Sequence, residues 1–569
     1  MKLFKKLKGL FLSQKLMFWL YLGMLVLPNI MMFFTESTGT LTRVVQIVLP
    51  LAIYWFAMTL NGKPGKMFWW LFLLIFIDAF QVVLLYLFGE SPIAVDMFLN
   101  VTTTNVTEVD ELLGNLIPAV AFVFVLYGGG IILSFVSIKN KEVLTSVFRK
   151  FQRKCAMCIM AIAVVLLGVN FFIDKNFVFQ DDLFPFNGCY NFGLSVQRFV
   201  KGNNYLETAQ KFTYNAHSER PDSVSEVYVL VIGETVRATN MGICGYERNT
   251  TPGLSAMGSK IAVFKDAITM SNTTHKSVPL LLSPVASEKF DSLYTQRGIF
   301  TVFNEAGYKT AFLSNQARNH SFIDNLGSEA QDVVFAQDNT TVGNVLNDDV
   351  LLGLFNQRIK QYKGGKMFIV LHCYGSHFKY TDRYSDTERT FTPDEIPSAK
   401  AEHRPNIINA YDNTIVKTDK FLTEIMSRLD SLHVPSALIF TSDHGEDIFD
   451  DERGRFLHAS PIPTYYQLHV PLVVWGSDAY RTQYAAKWET LQSNTCKSVS
   501  TSMVVFHTLL DLAGVKAKHY VPEHAVSNEA FKVTPRMYVN DHNEFRTMDN
   551  AGLKKLDVEQ MSKRHMMYP

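Results

Sequence analysis

Cysteine is scarce in this chain, with six in 569 residues, and only Cys155 and Cys158 stand close together. That pair opens an apolar run and has no second pair to complete a metal site, so packing is its expected role. Cys189, Cys244, Cys373 and Cys496 are scattered, which excludes a dense disulfide scaffold but leaves room for one isolated bond. Net charge is nearly missing too. Lys and Arg number 54 against 53 Asp and Glu, for a formal charge of +1. No broad basic footprint remains, so nucleic acid is not an expected partner. Internal repeats and low-complexity tracts are also lacking.

The hydrophobic content, 48%, is unevenly spread. Most of the excess precedes residue 175, in apolar stretches at Leu16–Phe34, Val44–Leu60, Met67–Phe88, Leu116–Val136 and Ala156–Ile173. Each is long enough for a helix crossing ~30 Å of hydrocarbon. The basic start MKLFKKLKGL would suit a cleavable signal peptide, but four further stretches make this a multi-pass membrane domain. The loops Met1–Lys15, Asn61–Lys66 and Ser137–Lys154 carry five, two and six Lys or Arg, and the opposite loops carry only Arg43. Positive charge stays inside, so five spans with a cytoplasmic N-terminus put everything after residue 174 on the outer face. Asp78, in LLIFIDAFQ, is a charged group within the third span. With Gln81 nearby, its expected role is an interior hydrogen bond rather than catalysis.

The expected divisions are a transmembrane domain over 1–174, a connector over 175–225 with a helix around Tyr205–Phe212, and an α/β domain over 226–569. In the last, VYVLVIGE (227–234), KTAFLSN (309–315), KMFIVLH (366–372), SALIFTS (436–442) and VPLVVWG (470–476) are short, almost continuous apolar runs. Such runs fit strands covered on both faces of a largely parallel sheet. Helical patterns at 297–307, 408–432 and 499–514 complete an α/β/α fold.

Ligands of open α/β sheets bind beyond the carboxyl ends of the strands. Glu234 ends the first run, His377 follows the third, and TSDHGED (441–447) puts Asp443 and His444 just past the fourth. Titratable groups packed beyond a buried strand are costly unless compensated, so a metal site is the expected explanation. Carboxylates, an imidazole and an oxygen nucleophile suit zinc best; oxygen donors suit manganese too, which ranks second. A metal lowers the pKa of a bound hydroxyl enough to make a nucleophile near neutral pH. Thr273, Thr274 and Ser277, in MSNTTHKSVPLLLS (270–283), are candidates among which pattern alone does not choose.

VIGETVRATNMGICGYERNTTP (231–252), SNTTHKSVPLLLS (271–283), GSHFKY (375–380) and TSDHGE (441–446) together resemble the phosphoethanolamine transferases of Gram-negative bacteria. Those are inner-membrane enzymes of the lipid A-modifying, colistin-resistance type, within the alkaline-phosphatase/sulfatase-like superfamily. The resemblance implies Thr274 as nucleophile and a zinc site of Glu234, Thr274, Asp443 and His444. It also implies His377 and, in RFLHASP, His458 near the transferred phosphate. Asn100, Thr104 and Glu108, spaced by four along one helix face, match the family's membrane-domain contribution to substrate binding. Phosphatidylethanolamine is the implied donor and lipid A or the lipopolysaccharide core the implied acceptor; a monomer is expected. Two departures stand out. The nucleophile loop has no cysteine, and FLSNQARNHSFIDN (312–325) lacks the version that supplies a substrate-contacting lysine.

Related chemistries fit less well. Near Thr274 there is no C/S-x-P-x-R core of the sulfatase nucleophile. A phosphoglycerol transferase of the lipoteichoic-acid type shares five spans and a threonine but not the GETxRAxN string. A non-enzymatic sensor would not need the complete ligand set.

Overall fold

A computed structural model describes residues 13–36, 38–89, 91–103, 116–175, 177–287, 289–319, 321–339 and 347–569. The chain forms two compact units, one of residues 1–102 and 112–197, the other of 103–111 and 198–569. The division falls inside a helix, Phe186–Asn203.

Among the described residues of the first unit, four helices are long and apolar enough to span a membrane: Gln14–Thr35, Thr40–Met58, Leu116–Lys139 and Ser146–Ile173. The bent pair Pro64–Trp70 and Phe72–Phe88, with 72° between its arms, makes a fifth if counted as one span. The expected third span thus exists as a broken run. Polar side chains lock the helices together, because in hydrocarbon an unbonded polar group is expensive. Asn29 donates to Gln46 O at 2.8 Å and Phe184 O at 2.7 Å, and Gln14 donates to Ser137 O at 3.0 Å. Asp78 is buried, but the interior hydrogen bond expected of it is not found among the described residues. The Gln81 amide donates to Ser91 O and accepts from Ile93 N, both at 2.9 Å.

The segment after residue 182, read from sequence as irregular connector, is helical and turned inside out. Asn187, Asn191 and Ser195 are buried, whereas Tyr190, Phe192 and Val196 are exposed. Asn191 donates to Ile93 O at 2.8 Å.

The second unit is built on a seven-stranded sheet: β1 Glu226–Gly233, β2 Ile261–Phe264, β3 Lys309–Ser314, β4 Asp332–Phe335, β5 Lys366–His372, β6 Ser436–Ser442 and β7 Leu472–Gly476. Their order is β2-β7-β6-β1-β5-β3-β4. All five expected strands are present. β6, β1, β5, β3 and β4 run parallel, but β7 is antiparallel to both neighbours. β1 shows why its sequence is continuously apolar: Tyr228, Leu230 and Ile232 join one core cluster, and Val227, Val229 and Val231 join the other. Helix Thr501–Ala513 covers the first face and Arg404–Asp430 the second. The three strands expected to deliver site residues, β6, β1 and β5, are adjacent at the centre. All six cysteines are free.

Candidate active site

Glu234 follows β1 directly, Asp443 and His444 follow β6, and Thr274 opens the helix Thr274–Leu281. Their functional atoms converge. Thr274 Oγ1 lies 3.4 Å from each Glu234 oxygen and 3.1 Å from His444 Nε2. His444 Nε2 is 3.6 Å from Glu234 Oε1 and 3.2 Å from Asp443 Oδ2.

Each group is aimed by its surroundings. His444 Nδ1 is 2.9 Å from Gly445 O. A carbonyl only accepts, so the proton sits on Nδ1 and the Nε2 lone pair faces the cluster. Asp443 Oδ1 accepts from His444 N at 2.7 Å and Thr235 N at 3.1 Å. Its Oδ2, fully buried, has no hydrogen-bond partner among the described residues. Glu234 Oε2 accepts from Gln316 Nε2 at 2.8 Å. Two glycines permit the close approach of these loops: a Cβ on Gly445 would meet Tyr466 O at 2.1 Å, and one on Gly375, at φ +51°, would meet Glu234 O at 2.6 Å. Thr235 is held at φ +57°, a conformation that costs a β-branched residue about 1–3 kcal/mol. The Tyr411 hydroxyl, donating to Thr235 O at 2.6 Å, helps to hold it.

These donors fit a zinc-sized ion. A tetrahedron of ligands with bonds of about 2.0–2.2 Å has edges of about 3.3–3.6 Å, close to the separations above. The buried Asp443 Oδ2, with no hydrogen-bond partner among the described residues, is an acceptor that a cation would satisfy. His458 stands close as well: one ligand atom each from Glu234, His444 and His458 lie within 4.8 Å of one another. The His458 ring centroid is 4.2 Å from that of His444 and 5.8 Å from that of His377. His377 Nδ1 donates to Phe378 O at 2.8 Å, which directs its Nε2 away from the backbone. Thr104 and Glu108 lie outside the described residues, as does the side chain of Asn100.

Burial dominates the electrostatics. It holds His444 below the ordinary imidazole range against the opposing pull of Asp443. Burial, with His444 and His377 adding to it, keeps His458 well below that range. Glu446 is pushed up to about 8 by burial.

Sequence reasoning missed two supports. Gln316, which steadies Glu234, lies in the segment that departs from the family's lysine-bearing version. Arg237 lies within the quoted GETVRATN string, and its fixed spacing from Glu234 was the available signal. Its guanidinium donates to Glu446 O at 2.9 Å and to both Asp450 oxygens at 2.7 and 2.9 Å. One buried cation thus joins the loop after β1 to the loop after β6.

Fold and site together define an alkaline-phosphatase-like domain attached to a set of apolar helices. The chain belongs to the sulfatase family, whose model, described as "Sulfatase", matches residues 226–515. It is 31% identical over 295 residues to Kdo(2)-lipid A phosphoethanolamine 7''-transferase of Escherichia coli (strain K12), covering 50% of each chain. It is 26% identical over 369 residues to phosphoethanolamine transferase EptC of the same strain, covering 62% of this chain and 61% of that one. The chain spans about half the length of the first of these relatives. The crystal structure of the C-terminal periplasmic domain of E. coli EptC in complex with Zn superposes with a TM-score of 0.53 at 26% identity, covering 60% of this chain and 96% of that one. Integral membrane lipooligosaccharide phosphoethanolamine transferase A from Neisseria meningitidis has a TM-score of 0.72 at 22% identity, covering 90% of this chain and 98% of that one. That last likeness concerns the fold.

Proposed function

We propose that the chain is a phosphoethanolamine transferase of the bacterial inner membrane, with its α/β unit in the periplasm. It moves phosphoethanolamine from phosphatidylethanolamine to lipid A or the lipopolysaccharide core. The observation that carries this reading is the placing of Thr274 Oγ1 3.1–3.4 Å from His444 Nε2 and Glu234, with His444 Nε2 itself 3.2 Å from Asp443 Oδ2. The likeness to named phosphoethanolamine transferases over the same domain supports it.

Glu234, Asp443, His444 and the Thr274 oxygen would hold zinc. When bound, zinc supplies Lewis acidity, lowering the pKa of the threonine hydroxyl and offsetting phosphoryl charge. Thr274 Oγ1 then attacks the donor phosphorus. The Oγ1–P bond forms, the P–O bond to glycerol breaks, and diacylglycerol leaves with a proton. In the second step an oxygen of the acceptor attacks the same phosphorus, and the threonine hydroxyl is restored. His377 and His458 line the approach; the neutral His458 has one ring N–H to offer a phosphoryl oxygen, and His377, whose Nδ1–H binds Phe378 O, donates there from Nε2 as the imidazolium. The start of helix Thr274–Leu281 adds its backbone dipole there. Asn100, Thr104 and Glu108 would contact the donor headgroup, the carboxylate facing the ammonium. Both substrates are lipids, which is the reason for the apolar helices.

Mass spectrometry of lipid A and core from cells with and without the protein tests the reading. The expected result is an increment of one phosphoethanolamine that depends on Thr274. Unchanged lipopolysaccharide beside a phosphoglycerol-modified glycan would transfer the chain to the rival class.

A further inference from the structure

A second set of polar side chains is hydrogen-bonded in series, and none of them is in the ligand set. The Tyr538 hydroxyl donates to Asn272 Oδ1 at 2.8 Å. Asn272 Nδ2 donates to Ser460 O at 2.8 Å and to Gln467 Oε1 at 2.6 Å. Gln467 Nε2 donates to Asp447 Oδ2 at 2.6 Å, and the Thr464 hydroxyl donates to Asp447 Oδ1 at 2.8 Å. Asn272, Gln467, Asp447 and Thr464 are at most 3% exposed.

The chain positions of these groups give them meaning. Asn272 is two residues before Thr274, Ser460 two after His458, and Asp447 three after His444. Backbone bonds tighten the same junction. Ala459 N donates to Asn272 O at 3.1 Å, and Gly445 N donates to Gln467 O at 2.8 Å. Gln467 therefore touches all three loops that carry Thr274, His444 and His458, and it does so without reaching the cluster itself.

The amide orientations are forced rather than assigned by convenience. Ser460 O is a carbonyl, so the Asn272 atom facing it is the NH2 group. Gln467 must then present Oε1 to that NH2, which turns its own NH2 toward Asp447. A carboxylate accepts on both oxygens, so Asp447 closes the series and fixes its direction.

We propose that Gln467 is the positioning residue of the reaction described above, with Asp447 as the anchor that sets its orientation. It acts through Asn272 on the nucleophile loop and holds that loop in register with the His444 and His458 loops. The inference rests on the proposed transfer reaction for its kinetic consequence, but the coupling of the loops is independent of it.

The test is a swap of donor and acceptor. Gln467→Glu points a carboxyl group at Asp447, which burial already raises to about 7; the two repel once both ionise, so the assays are run at alkaline pH, where no shared proton bridges them. The Gln467→Glu/Asp447→Asn pair restores the bonds along the series, because the introduced amide donates to the new carboxylate while its oxygen still accepts from Thr464; the long 3.4 Å contact of Gln467 Nε2 with Leu457 O is the one lost. Two readouts are made on full-length protein with confirmed zinc content. The first is amide hydrogen exchange in peptides spanning 270–276 and 457–461. The second is the rate of transfer from a phosphatidylethanolamine analogue at saturating donor. Gln467→Glu should speed exchange in both loops and lower the saturated rate by about 10²-fold, the cost of an ångström-scale misplacement. Its KM and zinc content should stay near wild type. The double variant should recover exchange protection and most of the rate. Should Gln467→Glu not fold, Gln467→Met keeps the volume, removes the bonds and should slow transfer with zinc retained. Wild-type rate in Gln467→Met, or no recovery in the double variant, would overturn the proposal. If wild type itself does not process the donor while the exchange pattern behaves as stated, the transfer reading fails and the positioning role stands.

Discussion

Thr274 and Thr273 are neighbours in sequence with different surroundings. The Thr273 hydroxyl lies 3.1 Å from Ser271 Oγ, within its own loop, whereas Thr274 Oγ1 meets Glu234 and His444. Thr274→Ala is therefore expected to abolish transfer without loss of fold, and Thr273→Ala to be much milder, as read by turnover of a phosphatidylethanolamine analogue. Near-normal turnover in Thr274→Ala would refute the assignment. The metal ligands make a parallel case. Glu234→Ala, Asp443→Ala and His444→Ala each remove one of four donors, so each should lose zinc by elemental analysis of the purified protein. Full activity in rigorously metal-free protein would contradict it. Two buried histidines away from the site give a pH prediction. Burial lowers His469 to about 4 and His507 to about 3. Both stay neutral when folded but protonate near pH ~6.5 when unfolded. The unfolded state then binds more protons, so the stability they contribute is complete above about pH 6.5 and lost as pH falls toward about 4. Each adds a slope of about 1.4 kcal/mol per pH unit in that window. The unfolding midpoint should drop on acidification, and His469→Gln should flatten the drop; an unchanged slope would contradict it.

Among the elements, the central strands were legible and the edges were not. β6, β1 and β5 are buried on both faces, so their apolar runs are long and bounded by the site residues they present. β2 and β4 are only four residues each, and β4 opens on Asp332, so neither stands out as a run. The direction of β7 left no trace, because an apolar run reads alike both ways. The third span reads as unbroken from Met67 to Phe88, yet the helix breaks at Leu71. Helix Phe186–Asn203 escaped notice because its polar side is the buried one, the reverse of a soluble amphipathic pattern. Glu234, Asp443 and His444 directly follow strands that are legible as apolar runs, whereas Thr274 opens a helix and Gln467 and Gln316 lie in ordinary-looking stretches that gain their positions only through folding. The segment 100–115 supplies this scale's prediction. The Asn100→Ala/Glu108→Ala variant should lower lipid transfer by the full-length protein while leaving zinc content unchanged. Undiminished transfer would reduce the segment to a connector.

For the whole molecule, the uneven spread of apolar residues already divided the chain into a helical part and an α/β part. The exact division, inside a helix at residue 197 rather than near 174, depends on which side chains that helix buries, and composition is blind to that. The two parts answer two requirements of one proposed reaction. Lipid substrates call for apolar helices, and transfer through a threonine calls for the strand-end cluster. Incubation of the purified full-length protein with phosphatidylethanolamine alone, followed by peptide mass spectrometry, tests that union most directly. With no acceptor present, the peptide containing Thr274 should carry the mass of one phosphoethanolamine, and the acceptor should discharge it. An unmodified Thr274 peptide in protein that still transfers phosphoethanolamine, or the increment on another residue, would contradict the account.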